Sequence, residues 1–219
     1  MKQWLEMTFE EQAEVRANAA ALREQKKQAK VEKAKLAREK MLKHREPMLK
    51  KLRKELAGAK LFSLDLEFWE GTSKDVTEVG VATYDTNTGE MKAYHFTPLE
   101  TLHMRNGKWV PDNKDRFDYG QTEVLPLDTV MNRVVELVSD ATHLVGHAFS
   151  NDAPFLLQCG YFARQPVLDT QTYAKFYFLN PQPMNLHRVS DGLRLRPRYL
   201  HNAGNDAVFT LKSLLKMGA

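Results

Sequence analysis

At Lys60 the sequence changes physical regime, and that boundary limits the folds open to the chain more than any other feature. From Glu10 to about Arg45 it is dominated by Ala, Glu, Lys, Gln and Arg, all strong helix formers, with no Gly or Pro before Pro47. From Leu61 the pattern turns strand-like, opening with Leu61-Phe62-Ser63-Leu64-Asp65-Leu66-Glu67-Phe68. Charge divides at the same place. Residues 1–60 carry 17 Lys+Arg against 9 Asp+Glu, and residues 61–219 carry 15 against 19, so the formal net charge of +4 averages a +8 segment and a −4 segment. The basic segment is too poor in large apolar residues to bury a core, which places the core after Lys60. The roughly 160 residues that follow are enough for a sheet covered by helices. The expected division is a basic helical arm over residues 1–58 and a globular domain over 59–219.

In the arm, Thr8-Phe9-Glu10-Glu11 has capping-box spacing, with Thr8 as N-cap and Glu11 three residues on. Pro47 is expected to break or kink the helix, with a second short helix from Met48 to Ala57 ending at Gly58. Val15, Leu22, Ala29 and Leu36 recur every seven residues, but the companion positions are polar or charged, so no coiled-coil seam is complete. Three readings stay open: a solvated helix stabilised by its charges, a nucleic-acid contact through Lys26, Lys27, Lys30, Lys33, Lys35, Lys40 and Lys43, or docking to a protein partner or a second copy. No aromatic residue interleaves these lysines, which argues against base stacking by the arm.

No apolar run approaches the roughly 18–20 residues of a membrane span, and the charged start of the chain is unlike a signal peptide. The expectation is an intracellular, cytoplasmic protein, with a nuclear location left open if the organism is eukaryotic, and no membrane partner. The single cysteine, Cys159, excludes an intrachain disulfide and a cysteine-clustered zinc site, and it reads as a small buried hydrophobe.

In the globular part, strands at Leu61–Phe68, Thr77–Tyr84 and Met91–Phe96 form an antiparallel meander. A Gly/Pro/Asp/Asn-containing excursion covers residues 99–126. A helical pattern then runs from Leu127 to Val138, followed by a short strand at Thr142–Val145, a helix after Asn151, a strand ending at Leu168, and helices to the end. Three antiparallel strands followed by parallel ones predict a mixed five-stranded α/β sheet of the ribonuclease-H-like type, flanked by helices.

Asp65 and Glu67 stand two residues apart on the first strand and project from the same face. A D-x-E pair alone is weak evidence, but its apolar neighbours Leu64 and Leu66 demand burial, and carboxylates brought close need cations. Asp152 follows a strand at the start of a helix, where it serves either as an N-cap or as a ligand. His201 precedes Asp206 by five residues, and Asp206 enters a helix with an apolar face (Ala207, Val208, Leu211, Leu214, Leu215).

These five residues, in this order on this pattern, resemble the DEDDh branch of the DnaQ-like 3′–5′ exonucleases over residues 60–217. The first motif falls on Asp65 and Glu67, the second on Asp152, and the third on His201 and Asp206. Thr77-Glu78-Val79-Gly80 looks like the family's second strand, and Val167-Leu168-Asp169-Thr170 like its fifth strand and turn. The segment Arg105-Asn106-Gly107-Lys108-Trp109-Val110-Pro111, with Phe117 to Gln121, is similar to an exonuclease-like subgroup described in fungi and linked there to mRNA export and RNA silencing. Phe68-Trp69 after the first motif, and Ala148 and Asn151 at the second, depart from the common pattern at the pocket edges and remove no ligand.

The resemblance implies hydrolysis at the 3′ end of single-stranded RNA or DNA, releasing nucleoside 5′-monophosphates. It implies two divalent cations, Mg²⁺ or Mn²⁺, which suit carboxylate oxygens. Asp65 would bridge both, Glu67 and Asp206 would complete the water-activating site, and Asp152 would hold the second. His201 would be the general base, its ordinary pKa of about 6.5 suiting proton removal near neutral pH. Phe68 or Trp69 would stack on the terminal base, or else pack in the core. Arg196, with Arg194 and Arg198, would bind phosphates, or else form a solvated basic loop. His147 would support the second motif structurally. The competing reading is a catalytically weak or inactive exonuclease-fold scaffold that works through its arm.

Overall fold

The computed structural model describes residues 7–219, so the first six residues of the expected arm lie outside the described part. α1 runs from Phe9 to Leu56. It starts as the sequence predicts: the Thr8 hydroxyl accepts from the Glu11 N–H at 3.2 Å, and the Thr8 N–H donates to the Glu11 carboxylate at 2.8 Å. Its later course differs, because Pro47 lies inside one continuous helix rather than between two. An interior proline removes one hydrogen bond and crowds the preceding turn, at a cost of about 3 kcal/mol or more. Tertiary packing offsets that cost: Met48, Leu49, Leu52 and Leu56 recur at helical spacing on the covered side, and Leu49 and Leu52 are buried. The core therefore does not begin after Lys60. Leu52 and Ala59 pack in it with Leu61, Val145 and Leu168. Upstream, nearly every described residue of α1 before Met41 is exposed.

The sheet has six strands: β1 (Lys60–Phe68), β2 (Val76–Asp85), β3 (Met91–Pro98), β4 (Thr122–Leu125), β5 (His143–Gly146) and β6 (Val167–Asp169). Their order is β4-β3-β2-β1-β5-β6. β1, β2 and β3 are the expected antiparallel meander, while β5 and β6 add parallel to β1 and to each other. β4, parallel to β3, is the strand that the five-strand expectation lacked. It is four residues long and lies at an edge, too short to display alternation, and it follows a stretch rich in turn residues.

One face of the sheet is covered by α2 (Leu127–Ser139) and α3 (Ala153–Gln158). On the other lie α4 (Thr170–Tyr177), α5 (Leu186–Gly192), α6 (Ala203–Gly218) and the end of α1. The alternation of β1 follows this division. Phe62, Leu64 and Leu66 enter the cluster formed with Val130, Val134, Phe155 and Leu156, whereas Leu61 enters the cluster formed with Val208 and Leu211 of α6. Asp65 and Glu67 share the face of Leu61, so their carboxylates point toward the α6 side at the far end of the strand.

The segment between β3 and β4 is held by its own polar contacts. Arg105 pairs with Asp112 at 2.6 Å and Asp115 at 2.7 Å, and the buried Lys114 ammonium donates to the Met104 carbonyl at 2.7 Å. Among the described residues, no helix is long and apolar enough to cross a membrane.

Candidate active site

Strand register builds the floor of the site. Asp65 lies opposite Gly80, Gly80 opposite His95, and His95 opposite Thr122, giving one row across β1, β2, β3 and β4. Gly80 leaves a gap in that row, and the N-terminus of α6 fills it. A Cβ at Gly80 would lie 1.9 Å from the Ala203 carbonyl oxygen. Only glycine lets the helix rest on the sheet there, and that contact brings Asp206, in the first turn of α6, over β1.

A buried polar network fixes the same helix end. Asn202 caps α6 by accepting from the Asn205 N–H at 3.1 Å, and it donates to the carbonyls of Asn113 and Lys114 at 3.2 and 3.1 Å. The Asn205 side chain donates to the Arg116 carbonyl at 2.8 Å and accepts from the Asp118 N–H at 3.0 Å. Glu78, paired with Glu67 across the strands and 3% exposed, accepts from the Ala203 N–H at 3.2 Å and lies 2.8 Å from His95 Nε2. His95 Nδ1 is 2.9 Å from the Thr122 hydroxyl. Glu78, His95, Asn202 and Asn205 were not singled out from the sequence. The available signal was a charged residue inside the apolar run Val76–Val81, since an ionisable group in a central strand requires a partner.

Glu67, His201 and Asp206 converge, each offering one ligand atom within 4.8 Å of the other two. His201 Nδ1 lies 3.7 Å from Glu67 Oε1, and the His201 N–H donates to Asp206 Oδ2 at 3.1 Å. His201 adopts φ +65°, a left-handed conformation that closes the loop onto Asp206. The Glu67 carboxylate raises the imidazole pKa above its ordinary value. Burial, then Glu67, pushes the Asp206 carboxyl up to about 8 against the opposing hydrogen bond from His201. Asp65 is held well above the ordinary carboxylate range, first by burial and then by Asp206, Asp152 and Glu67.

Asp152 comes from the other side of β1, after β5 and a short 3-10 turn over Phe149–Asn151. It precedes α3, but its side chain makes no capping hydrogen bond. Burial pushes it up to about 7, opposed by the Leu66 backbone N–H and reinforced by Glu67. Asp169 positions this turn by accepting from the Phe149 N–H at 2.9 Å and from the Thr172 N–H at 3.1 Å as the N-cap of α4. His147 lies 2.9 Å from the Thr170 hydroxyl and 2.8 Å from the Met184 carbonyl, contacts that brace the second-motif segment.

Beside Glu67 opens a cleft lined by Leu66, Phe68, Glu70, Ser73, Asn106, Trp109 and Val110. Phe68 is thus a cleft residue that also packs against the core. Trp69 is not part of this lining, and its ring covers Gly71 closely enough that a Cβ there would meet it at 2.6 Å. Arg196 is exposed, with φ +51° and no ion-pair partner among the described residues, whereas Arg198 pairs with Asp118 at 3.3 Å.

The residues present fit a divalent cation. Asp206 Oδ1 is buried and has no hydrogen-bond partner among the described residues. Asp65, Asp152 and Asp206 are pushed toward protonation first by burial and then by neighbouring carboxylates, a condition that bound cations relieve. Oxygen donors of this kind suit a hard divalent cation.

The family described as "DNA polymerase III subunit epsilon-like, C-terminal domain" matches residues 60–217. An uncharacterized nucleolar protein of Schizosaccharomyces pombe is 32% identical over 164 residues, covering 70% of this chain and 67% of its own length. The "Good for full DBP5 activity protein 2" of Saccharomyces cerevisiae is 29% identical over 197 residues, covering 71% of this chain and 34% of its own. Among solved structures, the RNase domain of yeast Pop2 aligns with a TM-score of 0.46 at 12% identity, over 80% of this chain and 83% of that one. The catalytic unit of Neurospora crassa Pan2 aligns at 0.48 and 15%, over 73% and 27%. With the family match spanning residues 60–217, most of its length, the chain belongs to the DEDDh, polymerase III epsilon-like nuclease family.

Proposed function

We propose that the protein is an active metal-dependent 3′–5′ exonuclease that hydrolyses the terminal phosphodiester of single-stranded nucleic acid and releases nucleoside 5′-monophosphates. The observation that carries this reading is the convergence of Glu67, His201 and Asp206 within 4.8 Å, beside a buried Asp206 oxygen that has no partner among the described residues. Asp65, Glu67, Asp152 and Asp206 would hold two cations, Mg²⁺ or Mn²⁺. When bound, these supply charge neutralisation at the attacking and leaving oxygens.

The chain's own groups account for the rest. His201 takes the proton of the attacking water, and Glu67, 3.7 Å away, stabilises the imidazolium that results. Glu78 and His95 act at a distance by fixing the N-terminus of α6, and with it Asp206. Phe68 lines the cleft in which the leaving nucleotide would sit, and Arg196, free of ion pairs among the described residues, is available to a phosphate. We assign the basic arm over residues 1–58 to strand capture by its lysines. The nucleolar description of the S. pombe relative favours a nuclear location in a eukaryotic cell.

The test is release of mononucleotides from 3′-labelled single-stranded RNA and DNA in Mn²⁺, set against EDTA. Turnover that requires metal and disappears in Asp65→Ala and His201→Ala is expected. No metal-dependent release, or full activity in either variant, would overturn the reading.

A further inference from the structure

Trp109 is 74% exposed, yet the backbone that carries it is fixed. The Glu70 carboxylate accepts from the N–H groups of Lys108, Trp109 and Val110 at 2.9, 2.7 and 2.9 Å. Asn106 ties the same loop to the end of β1, accepting from the Glu70 N–H and donating to the Phe68 carbonyl, both at 2.9 Å. A large, mostly exposed aromatic ring on a tethered backbone, lining the same cleft as Glu67, is an exposed apolar surface beside the candidate site. The Lys108 ammonium lies over the ring, 4.7 Å from its centre, and three quarters of the residue's surface is still exposed (74%). Among the described residues Lys108 has no carboxylate partner, so its charge is free for an anion.

We propose that Trp109 is a stacking platform for a nucleobase next to the scissile phosphodiester, with Lys108 placed for a neighbouring phosphate. The proposal rests on the exonuclease reading and adds to it a substrate-holding residue from the β3–β4 segment. Cleft and cation together favour a nucleotide over an apolar protein segment, because continuity with the carboxylate site and a free ammonium match a base and its phosphate. The platform grips any base. Both polar ends of Asn106 and both oxygens of Glu70 are spent on the loop itself, so these side chains do not read a base edge, while every base offers a π-face.

The test uses the full chain with Mn²⁺ and single-stranded ten-nucleotide substrates, either intact or abasic at the terminal or the penultimate position. Trp109→Ala should raise KM about tenfold with kcat nearly unchanged, and Trp109→Phe should restore most of the loss. An abasic site at the stacked position should raise KM for the unaltered protein by a similar factor and abolish the difference between it and Trp109→Ala. Base identity at that position should matter little. Unchanged KM in Trp109→Ala, while the unaltered protein turns over normally, would overturn the platform alone. So would an equal KM for intact and abasic substrates at both positions in the unaltered protein, a comparison that stands even if the alanine variant melts early. Absence of turnover in the unaltered protein would overturn the exonuclease reading and this proposal with it.

Discussion

Replacing Asp206 by asparagine should stabilise the metal-free protein, and by an amount that depends on pH. Burial, then Glu67, pushes the Asp206 carboxyl up to about 8 in the folded chain, against an ordinary value of 3.8. With that value Asp206 is mostly protonated at pH 7 when folded and ionised when unfolded, so folding must draw a proton from a solution in which free protons are scarce. At 1.36 kcal/mol per pH unit above 3.8, the cost is about 4 kcal/mol at pH 7. Asp65, Glu67 and Asp206 share their repulsion, so a single substitution recovers about 2–4 kcal/mol of it. The sign follows from the raised folded value: the cost is absent below about pH 4, grows through the window up to 8, and levels off above it. Asparagine keeps an oxygen that can accept from the His201 N–H, so the fold is retained. For a chain of this size the gain is a rise in Tm of roughly 4–16 °C in EDTA at pH 8, shrinking toward zero at pH 4. Addition of Mn²⁺ should raise the Tm of the unaltered protein far more than that of the variant. Thermal melts in EDTA and in Mn²⁺ between pH 4 and 9 measure both effects. A variant less stable than its parent at pH 8, or a difference as large at pH 4 as at pH 8, would refute the electrostatic account of the site.

Gly80→Ala places a carbon 1.9 Å from the Ala203 oxygen, backbone against side chain with no flexible partner to give way. It should cost about 1–3 kcal/mol or more in urea unfolding and, by moving Asp206 and His201 by about 1 Å, lower kcat about 100-fold. His201→Ala should lower kcat by about 10²–10⁴ while substrate affinity stays close to normal, and the fall in rate toward acid pH should vanish from its pH profile. Changing Lys26, Lys27, Lys30, Lys33 and Lys35 together to Gln should raise KM at low salt, with the effect fading at high salt and kcat unchanged. A salt-independent rise would assign the arm to packing or to partners instead.

Part of the acidic constellation is legible from short-range rules, and the grouping of Asp152, His201 and Asp206 with it from the order of motifs shared with the DEDDh family. Two residues along a strand return to the same face, so Asp65 and Glu67 had to share one, and an acidic residue entering an apolar-faced helix had to sit at its buried start. The network behind Asp206 is not legible for the opposite reason. Glu78, His95, Asn113 and Asn202 are distant in sequence and meet only through strand register and the contact of α6 with Gly80. Pro47 and β4 mark two further limits. Proline's local cost was outweighed by the burial of Leu49 and Leu52, which only the completed core provides. Thr122–Leu125 became a strand because an edge of β3 was available beside it, a fact about the neighbour and not about those four residues. Trp109 is a third case: nothing local indicates that Glu70 would collect three N–H groups from Lys108, Trp109 and Val110.

The unequal charge of the two parts now acquires a geometry. β1 rises about 3.3 Å per residue, so Glu67 lies about 23 Å along the strand from Lys60. α1 joins the body at the Lys60 end, where Glu55 meets His143 at 3.0 Å and the Lys60 N–H donates to Thr142 at 2.9 Å. Fields from exposed charges decay over about 8 Å at physiological salt, so the root of the arm does little to the potential at the carboxylates. The arm's lysines can assist only by touching the same strand that occupies the site. A stacked strand advances about 3.4 Å per nucleotide, so a substrate needs about seven nucleotides merely to reach from the site to the arm's root. The lysine substitutions should therefore leave hydrolysis of a dinucleotide untouched at every salt concentration and weaken only longer substrates. On the exonuclease reading, cations held by the carboxylates, and not the arm, would then cancel the repulsion felt by the scissile phosphate itself.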